Sequence, residues 1–354
     1  MLFCLNFLLL VTSITGFVLP IHDQPIKTNS AEIDLVDYIN SVQSLFVAEN
    51  SNISDTEMRF KAMDLNFIQL QPNPEDSSRM EGSILSTLPT HFDSRVNWPN
   101  CNSMKLIRDQ TTCGSCWAFS TAEIISDRTC IKSKGKEQPI ISPEDILTCC
   151  GAQCNDKCKG GYPMKALEFW NKNGVVTGGD YQGAGCKPYS YAPCSTCSEA
   201  TTTPTCSKTC QNGFGSKYSK DKYYGSSAYT ISNNVAAIQT EIYKNGPVVA
   251  GYTLYEDFYK YKSGIYHHVA GKMIGGHAVK IIGWGTENNV DYWIIANSWA
   301  TGWGENGFFR MRRGTNECGI EAGVMAGQPK VSSSSVSARS LCLLVSLLIF
   351  YSLQ

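Results

Sequence analysis

Apolar positions fall into two regimes along this chain. Between Glu32 and Phe46, in EIDLVDYINSVQSLF, they recur at helical spacing: Ile33, Val36, Ile39 and Val42 share a stripe that Leu35, Leu45 and Phe46 widen, which predicts an amphipathic helix. A second helix is expected from Cys116, with Trp117, Ala118, Ala122 and Ile125 on one stripe. SPEDILTCC offers Ser142 as N-cap, Pro143 at the first helical position and Asp145 three residues after the cap. PMKALEFWNKNG ends on Gly174, where a helix C-terminus favours glycine. Further on the period changes. VVAGYTL, HAVKIIGWG, DYWIIANSW and GFFRMRR are β-branched and aromatic runs bounded by Gly and Asn, the pattern of strands. Helices first and strands after predict an α+β class, two subdomains facing each other across a cleft. Gly178 to Phe214, rich in Cys, Gly, Pro and Thr without periodicity, reads as a long stapled loop.

The cysteines divide the 354 residues more sharply than the periodicity does. There are 16; Cys4 and Cys342 lie in terminal apolar runs, and all the others fall between Cys101 and Cys318. That density points to a disulfide framework and an oxidising compartment. Residues 1–18, MLFCLNFLLLVTSITGFV, fit a secretory signal peptide, although no Lys or Arg precedes the apolar run. Residues 19–87 carry no cysteine, one glycosylation sequon at Asn52 and the amphipathic stretch above. They suit a pro-segment that folds against the domain behind it, with a small independent helical domain as the alternative. Residues 331–354 join a Ser-rich spacer to an apolar run too short for a confident span. The pattern resembles a signal for attaching a GPI membrane anchor, with a dispensable tail or a true tail anchor as the alternatives. A formal net charge of −1 gives no reason to expect a nucleic-acid partner.

CGSCWAFS, Cys113 to Ser120, poses the chemical question. A Cys-x-x-Cys pair suits redox exchange or zinc, whereas one reactive thiol suits a nucleophile. Cys116 opens the helical run, where a helix N-terminus favours the thiolate, and Cys113 sits a turn earlier. A thiolate also needs a base. Of five histidines, His22 and His91 precede or border the domain. His267 and His268 follow a turn and read as a solvated pair. His277 follows two glycines at the start of a buried strand, where a functional base and a satisfied core histidine are equally plausible. Asn297, ending the next strong strand, is placed to fix the tautomer of His277, and an indole, Trp299, follows it closely enough to shield the contact. Export argues against a zinc protein built on Cys113, Cys116, Cys194 and Cys197.

Together QTTCGSCWAFS, GGHAV and NSWATGWGENGFF resemble the active-site blocks of papain-like cysteine proteases. LPTHFDSRVNWPNC, LTCCGAQCNDKCKGGYP, YKNGPV and CGIEAGV are similar, in the same order, to blocks of the cathepsin B-like subgroup; YWIIANSWATGWGE resembles its helminth members. The likeness covers residues 88–330 and implies a helical left subdomain and a β-barrel-like right one. It implies Cys116 as nucleophile, His277 as base, Asn297 as orienting group and Gln110 in the oxyanion hole. Gly160, Gly161 and Gly276 would form the backbone platform for substrate; Tyr162, Pro163, Ala278 and Gly323 would wall the S2 pocket, with Trp299 over the His–Asn contact. It implies disulfides Cys101–Cys130, Cys113–Cys158, Cys149–Cys206, Cys150–Cys154, Cys186–Cys210 and Cys194–Cys197, leaving Cys318 free beside Cys116. No cofactor or metal is expected. Protein and peptide substrates, the chain's own pro-segment and cystatin-type inhibitors are the expected partners of a monomer in the secretory pathway, extracellular or lysosomal. Three departures stand out. The occluding-loop stretch 186–206 contains no histidine, so carboxydipeptidase activity should be weak and the cleft open to internal bonds. Gly323 replaces an S2 glutamate, so apolar or aromatic P2 residues should be preferred. Thr111 replaces a glycine before the CGSC block.

Overall fold

The computed structural model describes residues 34–51, 54–68, 84–193 and 203–330. The expected signal peptide, the Asn52 sequon, Cys194, Cys197 and the C-terminal tail lie outside them. In chain order the helices and strands are α1 (Leu35–Val42), β1 (Phe46–Ala48), α2 (Asp55–Lys61), β2 (Phe92–Asp93), α3 (Ser94–Asn97), α4 (Cys116–Lys132), α5 (Pro143–Cys149) and α6 (Pro163–Asn173). There follow β3 (Gly225–Thr230), α7 (Val235–Asn245), β4 (Val248–Tyr255), α8 (Glu256–Tyr259), β5 (Tyr261–Tyr266), β6 (Met273–Glu287), β7 (Val290–Ala296), β8 (Phe308–Arg312) and β9 (Val324–Pro329). The α+β expectation holds: the long helices α4, α5 and α6 come first and most strands after.

Local chemistry explains the helix ends. Ser142 accepts the Asp145 N–H and Pro143 opens α5, while Gly174 closes α6 at φ 67°. The first helix is shorter than its apolar stripe predicts. Gln43 ends it by taking over the orphan backbone groups: Oε1 accepts from Leu45 and Phe46 N–H, and Nε2 donates to the Ile39 and Phe46 carbonyls. Phe46 is thereby turned out of the helix and into β1.

Strands run in the order β1-β5-β8-β7-β6-β4-β9-β3, with β2 also on β6. β6 is the spine, antiparallel to both β4 and β7, and pairs Tyr252 with His277 and Gly251 with Ala278. One apolar cluster fills the sheet half, around Trp284, Trp293, Trp299 and Phe258. A second fills the helical half, around Trp117, Phe119, Ile125 and Trp170. Helix α4 lies between the halves, and here the single-stripe expectation fails: every residue from Cys116 to Cys130 is buried, charged ones included. Those charges are paired. Lys280 on β6 reaches Asp127 at 2.9 Å and Glu123 at 3.6 Å, and Arg128 reaches Glu241 on α7 at 2.9 Å. Removing one partner of such a pair costs about 3–5 kcal/mol, so these contacts fix α4 against β6 and α7.

Disulfides Cys101–Cys130, Cys113–Cys158, Cys149–Cys206, Cys150–Cys154 and Cys186–Cys210 are closed. Cys116 and Cys318 are free thiols.

Candidate active site

The clamp between α4 and β6 brings Cys116 against the β6 backbone beside His277. Cys116 is the first residue of α4, at the positive end of a seventeen-residue helix, and its Sγ accepts the backbone N–H of Ala278 at 3.4 Å. His277 is the neighbouring residue on β6. Its Nε2 lies 2.8 Å from Asn297 Oδ1, and that oxygen also accepts the Ser298 N–H at 2.8 Å. An oxygen already accepting from a backbone amide must accept from the ring as well, so Nε2 carries the proton. Nδ1 is left as the lone-pair nitrogen, buried and without a protein partner. Trp299 covers the pair, its ring centroid 4.8 Å from that of His277.

Gln110 is held from four directions. Its Oε1 accepts from Ser298 Oγ (2.8 Å) and Trp299 Nε1 (3.2 Å), and its Nε2 donates to Cys113 C=O (2.7 Å). The fourth partner comes from the N-terminal segment: Nε2 also donates to Lys61 C=O at 2.9 Å. The next residue, Thr111, stands at φ 54°, a left-handed conformation costly for a β-branched side chain.

The N-terminal segment fills the groove beyond that contact. Met63 exchanges both backbone hydrogen bonds with Gly276 (2.9 and 2.7 Å), and Asp64 N–H donates to Lys159 C=O (2.7 Å). Gly276 allows this approach because a Cβ there would overlap Ile68 Cγ1. The Phe67 ring packs 4.9 Å from Tyr162 and over Gly160, while a Cβ on Gly161 would meet the Trp117 indole instead. Pro163 is the buried first residue of α6. Gly323 accepts the Gly251 N–H at 3.2 Å, and Ile68 rests on Gly251, facing Ala278 across the register.

Burial under this segment dictates the protonation states. It pushes the Cys116 thiol up to about 12, against weaker help from backbone N–H groups. It pushes His277 down to about 4; the Asn297 hydrogen bond opposes the shift and the Lys61 ammonium adds to it. Thiol and imidazole are both neutral while the segment is docked.

The sequence reading passes over several groups that matter here. Lys61 and Ile68 lie in a stretch with no motif, and Gly251 looks like any strand glycine. Tyr189 donates to Gln110 C=O at 3.0 Å and pairs with Ser115 Oγ at 2.8 Å, tying the stapled loop to the segment that carries Gln110. The solvated reading of His267 and His268 is wrong. His268 Nδ1 sits 3.0 Å from Asp257, its ring stacked 3.7 Å from Tyr255, and His267 is half-buried with its edge against Phe46. The β1–β5 pairing and α8 enclose a pair that the preceding turn signal suggested would face water.

Residues 88–328 match the model of the papain family cysteine proteases. The chain belongs to the papain family. A gut-specific cysteine proteinase of Caenorhabditis elegans is 54% identical over 332 residues, 92% of this chain and all of that one. Cathepsin B-like cysteine proteinase 3 of the same worm is 57% identical over 308 residues, 85% of this chain and 83% of the relative. Among solved structures, procathepsin B S9 from Trypanosoma congolense superposes with a TM-score of 0.70 at 36% identity, covering 84% of this chain and 97% of that one. This papain-family chain is accordingly a cathepsin B-like cysteine peptidase in its proenzyme form, with a pro-segment of its own.

Proposed function

We propose that this zymogen, once cut ahead of about Leu88, hydrolyses internal peptide bonds of protein substrates in the secretory pathway with Cys116 as nucleophile. The bond from Gln110 Nε2 to Lys61 C=O carries the reading: a peptide carbonyl beside Cys116 already sits against the donor that a reacting carbonyl needs. Loss of the pro-segment readmits water and removes the Lys61 charge, so the Cys116 proton passes to Nδ1 of His277. The thiolate then attacks the carbonyl carbon. The oxyanion is held by the Cys116 N–H and Gln110 Nε2, donors fixed before the charge develops. The imidazolium gives its proton to the leaving amine, and a thioester remains. His277 next takes a proton from water, which attacks the thioester and frees the acid and Cys116. Asn297 keeps the ring in the required tautomer throughout.

Two features set the substrate. Stretch 186–206 contains no histidine to bind a C-terminal carboxylate, so internal bonds are favoured over dipeptide release. The pocket that takes Ile68 is floored by Gly251 and walled by Gly276, next to Gly323, and none of the three adds a charged side chain. An unpaired arginine there would be costly, and apolar or aromatic P2 residues fit. Secretion, cystatin inhibition, a monomeric state and GPI attachment belong to the same reading and rest on sequence pattern alone.

The test is direct. Acid-processed enzyme is given a quenched peptide with a blocked C-terminus and one that releases a C-terminal dipeptide, with Cys116→Ala as control. Cleavage of the blocked peptide alone, lost in the control, supports the reading. Dominant dipeptide release overturns the endopeptidase assignment.

A further inference from the structure

Departure of the pro-segment also strips a strand from the end of the sheet. β1 is terminal, paired antiparallel with β5 through Phe46 opposite Gly264 and Val47 opposite Ser263. Ile265 N–H donates to Leu45 C=O at 2.7 Å, and Glu49 N–H to Lys260 C=O at 2.8 Å. β5 meets its other neighbour, β8, only through Ile265 and Tyr266. Without β1, Lys260 C=O and Ile265 N–H lose their partners and Tyr261 to Ser263 become an open edge, while Gly264 keeps Glu305 on its N–H and the Tyr261 hydroxyl on its C=O. Gly264 lets a strand close on it: its φ is 98°, and a Cβ there would overlap Leu45 C=O.

The same departure empties an aromatic socket. Phe46 is 3% exposed, its ring centroid 5.3 Å from Tyr266, 5.8 Å from His267 and 6.2 Å from Tyr261. Two lysines stand on the rim, Lys260 paired with Asp55 (2.8 Å) and Lys262 with Glu49 (3.4 Å). The mature surface therefore offers an unpaired strand edge, a vacant ring-sized socket and two cations released from their carboxylates. An open edge is a template for another strand, and strand addition with a side-chain pocket is a recurrent mode of peptide capture.

We infer that the β5 edge of the mature enzyme is an exosite for an extended segment of a protein substrate, with an aromatic residue followed three positions later by a carboxylate. That spacing is the one between Phe46 and Glu49. The inference rests on the removal of the pro-segment proposed above. A segment held at the edge raises the local concentration of neighbouring bonds at Cys116. The gain falls on KM and leaves kcat alone, because the edge touches no reacting atom.

The experiment uses acid-processed enzyme whose mass confirms the loss of the pro-segment. Two long quenched peptides share one cleavable apolar segment and a Gly/Ser linker spanning as many residues as separate Phe46 from Lys61. One ends in QSLFVAEN and the other in the same sequence with alanine for phenylalanine. The expected result is a KM at least about tenfold lower for the phenylalanine peptide at equal kcat, the loss expected of an unfilled ring socket. Lys262→Glu should raise that KM about two- to fivefold, the scale of an exposed ion pair, without touching a short fluorogenic substrate. Free QSLFVAEN should erase the difference between the peptides and leave the short substrate unaffected. Equal KM values overturn the exosite. So does inhibition of the short substrate by the free peptide, which would mean re-entry into the catalytic groove. Full activity at unprocessed mass refutes the zymogen reading and the exosite with it.

Discussion

Gln110→Ala separates catalysis from architecture because the side chain serves both through different atoms. On the amide side, Nε2 is the oxyanion donor of the mechanism proposed above; removing one such donor costs about 2.7–4 kcal/mol of transition-state stabilisation. The kcat should fall roughly 100- to 1,000-fold, with KM nearly unchanged, since a ground-state carbonyl gains little from that donor. On the carbonyl side, Oε1 is the acceptor for Ser298 Oγ and Trp299 Nε1, and both donors are buried. A stranded buried donor costs about 1–3 kcal/mol, and the serine hydroxyl can turn away, so the net loss of stability should be about 1–3 kcal/mol, that of the Trp299 indole alone. For a domain of this size that lowers Tm by roughly 2–12 °C. Steady-state kinetics on the blocked quenched peptide, normalised by active-site titration, give the first number and calorimetry the second. A kcat loss under tenfold with all sites titratable would refute Gln110 as an oxyanion donor; a loss confined to KM would reassign it to substrate binding.

Other perturbations test separate parts of the account. Iodoacetamide should leave Cys116 of the intact zymogen untouched at pH 6, because burial raises its thiol to about 12, and should alkylate the processed enzyme fast; equal rates contradict the occluded state. Gly323→Glu should bring in cleavage of substrates with arginine at P2 and depress those with phenylalanine there, read by kcat/KM on paired substrates; an unchanged preference places the pocket elsewhere. Thr111→Gly should raise Tm by about 1–3 °C, as relief of a left-handed threonine, about 1–2 kcal/mol, exceeds the entropic cost of glycine; a drop refutes the strain. Burial holds His267 below its ordinary 6.5 while the pro-segment is docked; Arg312 adds to this, and Glu317, the Ile265 carbonyl and Asp257 oppose it. The undocked imidazole then binds a proton the docked one does not, so docking is full above pH 6.5 and weakens as pH falls below it. Glu57 works the other way, its carboxyl raised by burial against the pull of Lys61, with Asp109 adding to the rise. In Cys116→Ala zymogen cut after the pro-segment, His267→Gln should flatten the fall in pro-segment affinity between pH 7 and 5. An unchanged slope removes His267 from that role.

Elements whose signals are local were legible in the sequence. Ser142, Pro143 and Gly174 act on backbone groups within a turn of themselves, and α5 and the end of α6 form where those residues predict. The His277–Asn297 contact and the place of Cys116 at the start of α4 were legible because those residue types are few in this chain and stand in short motifs. What escaped depends on contacts distant in sequence. The apolar stripe runs through Phe46, yet Gln43 breaks the helix and β5 claims the phenylalanine. Helix α4 looks one-sided because Glu123, Asp127 and Arg128 read as a solvated face; their partners Lys280 and Glu241 lie more than a hundred residues away. Lys61 and Ile68 carry no motif, since what they touch, Gln110, Gly251 and Gly276, lies far away in the sequence.

The Gln110–Lys61 contact also constrains how this lineage can diverge. On the proposed mechanism, the amide that steadies the reacting oxygen is the amide that grips the pro-segment's Lys61 carbonyl, so a mutation loosening that grip would slow turnover as well. Selection for a zymogen that matures more readily would thereby be diverted from the groove to the periphery, where Arg59–Glu256, Lys260–Asp55 and Lys262–Glu49 can be exchanged without touching that amide. Latency can drift between related genes while the chemical step stays fixed.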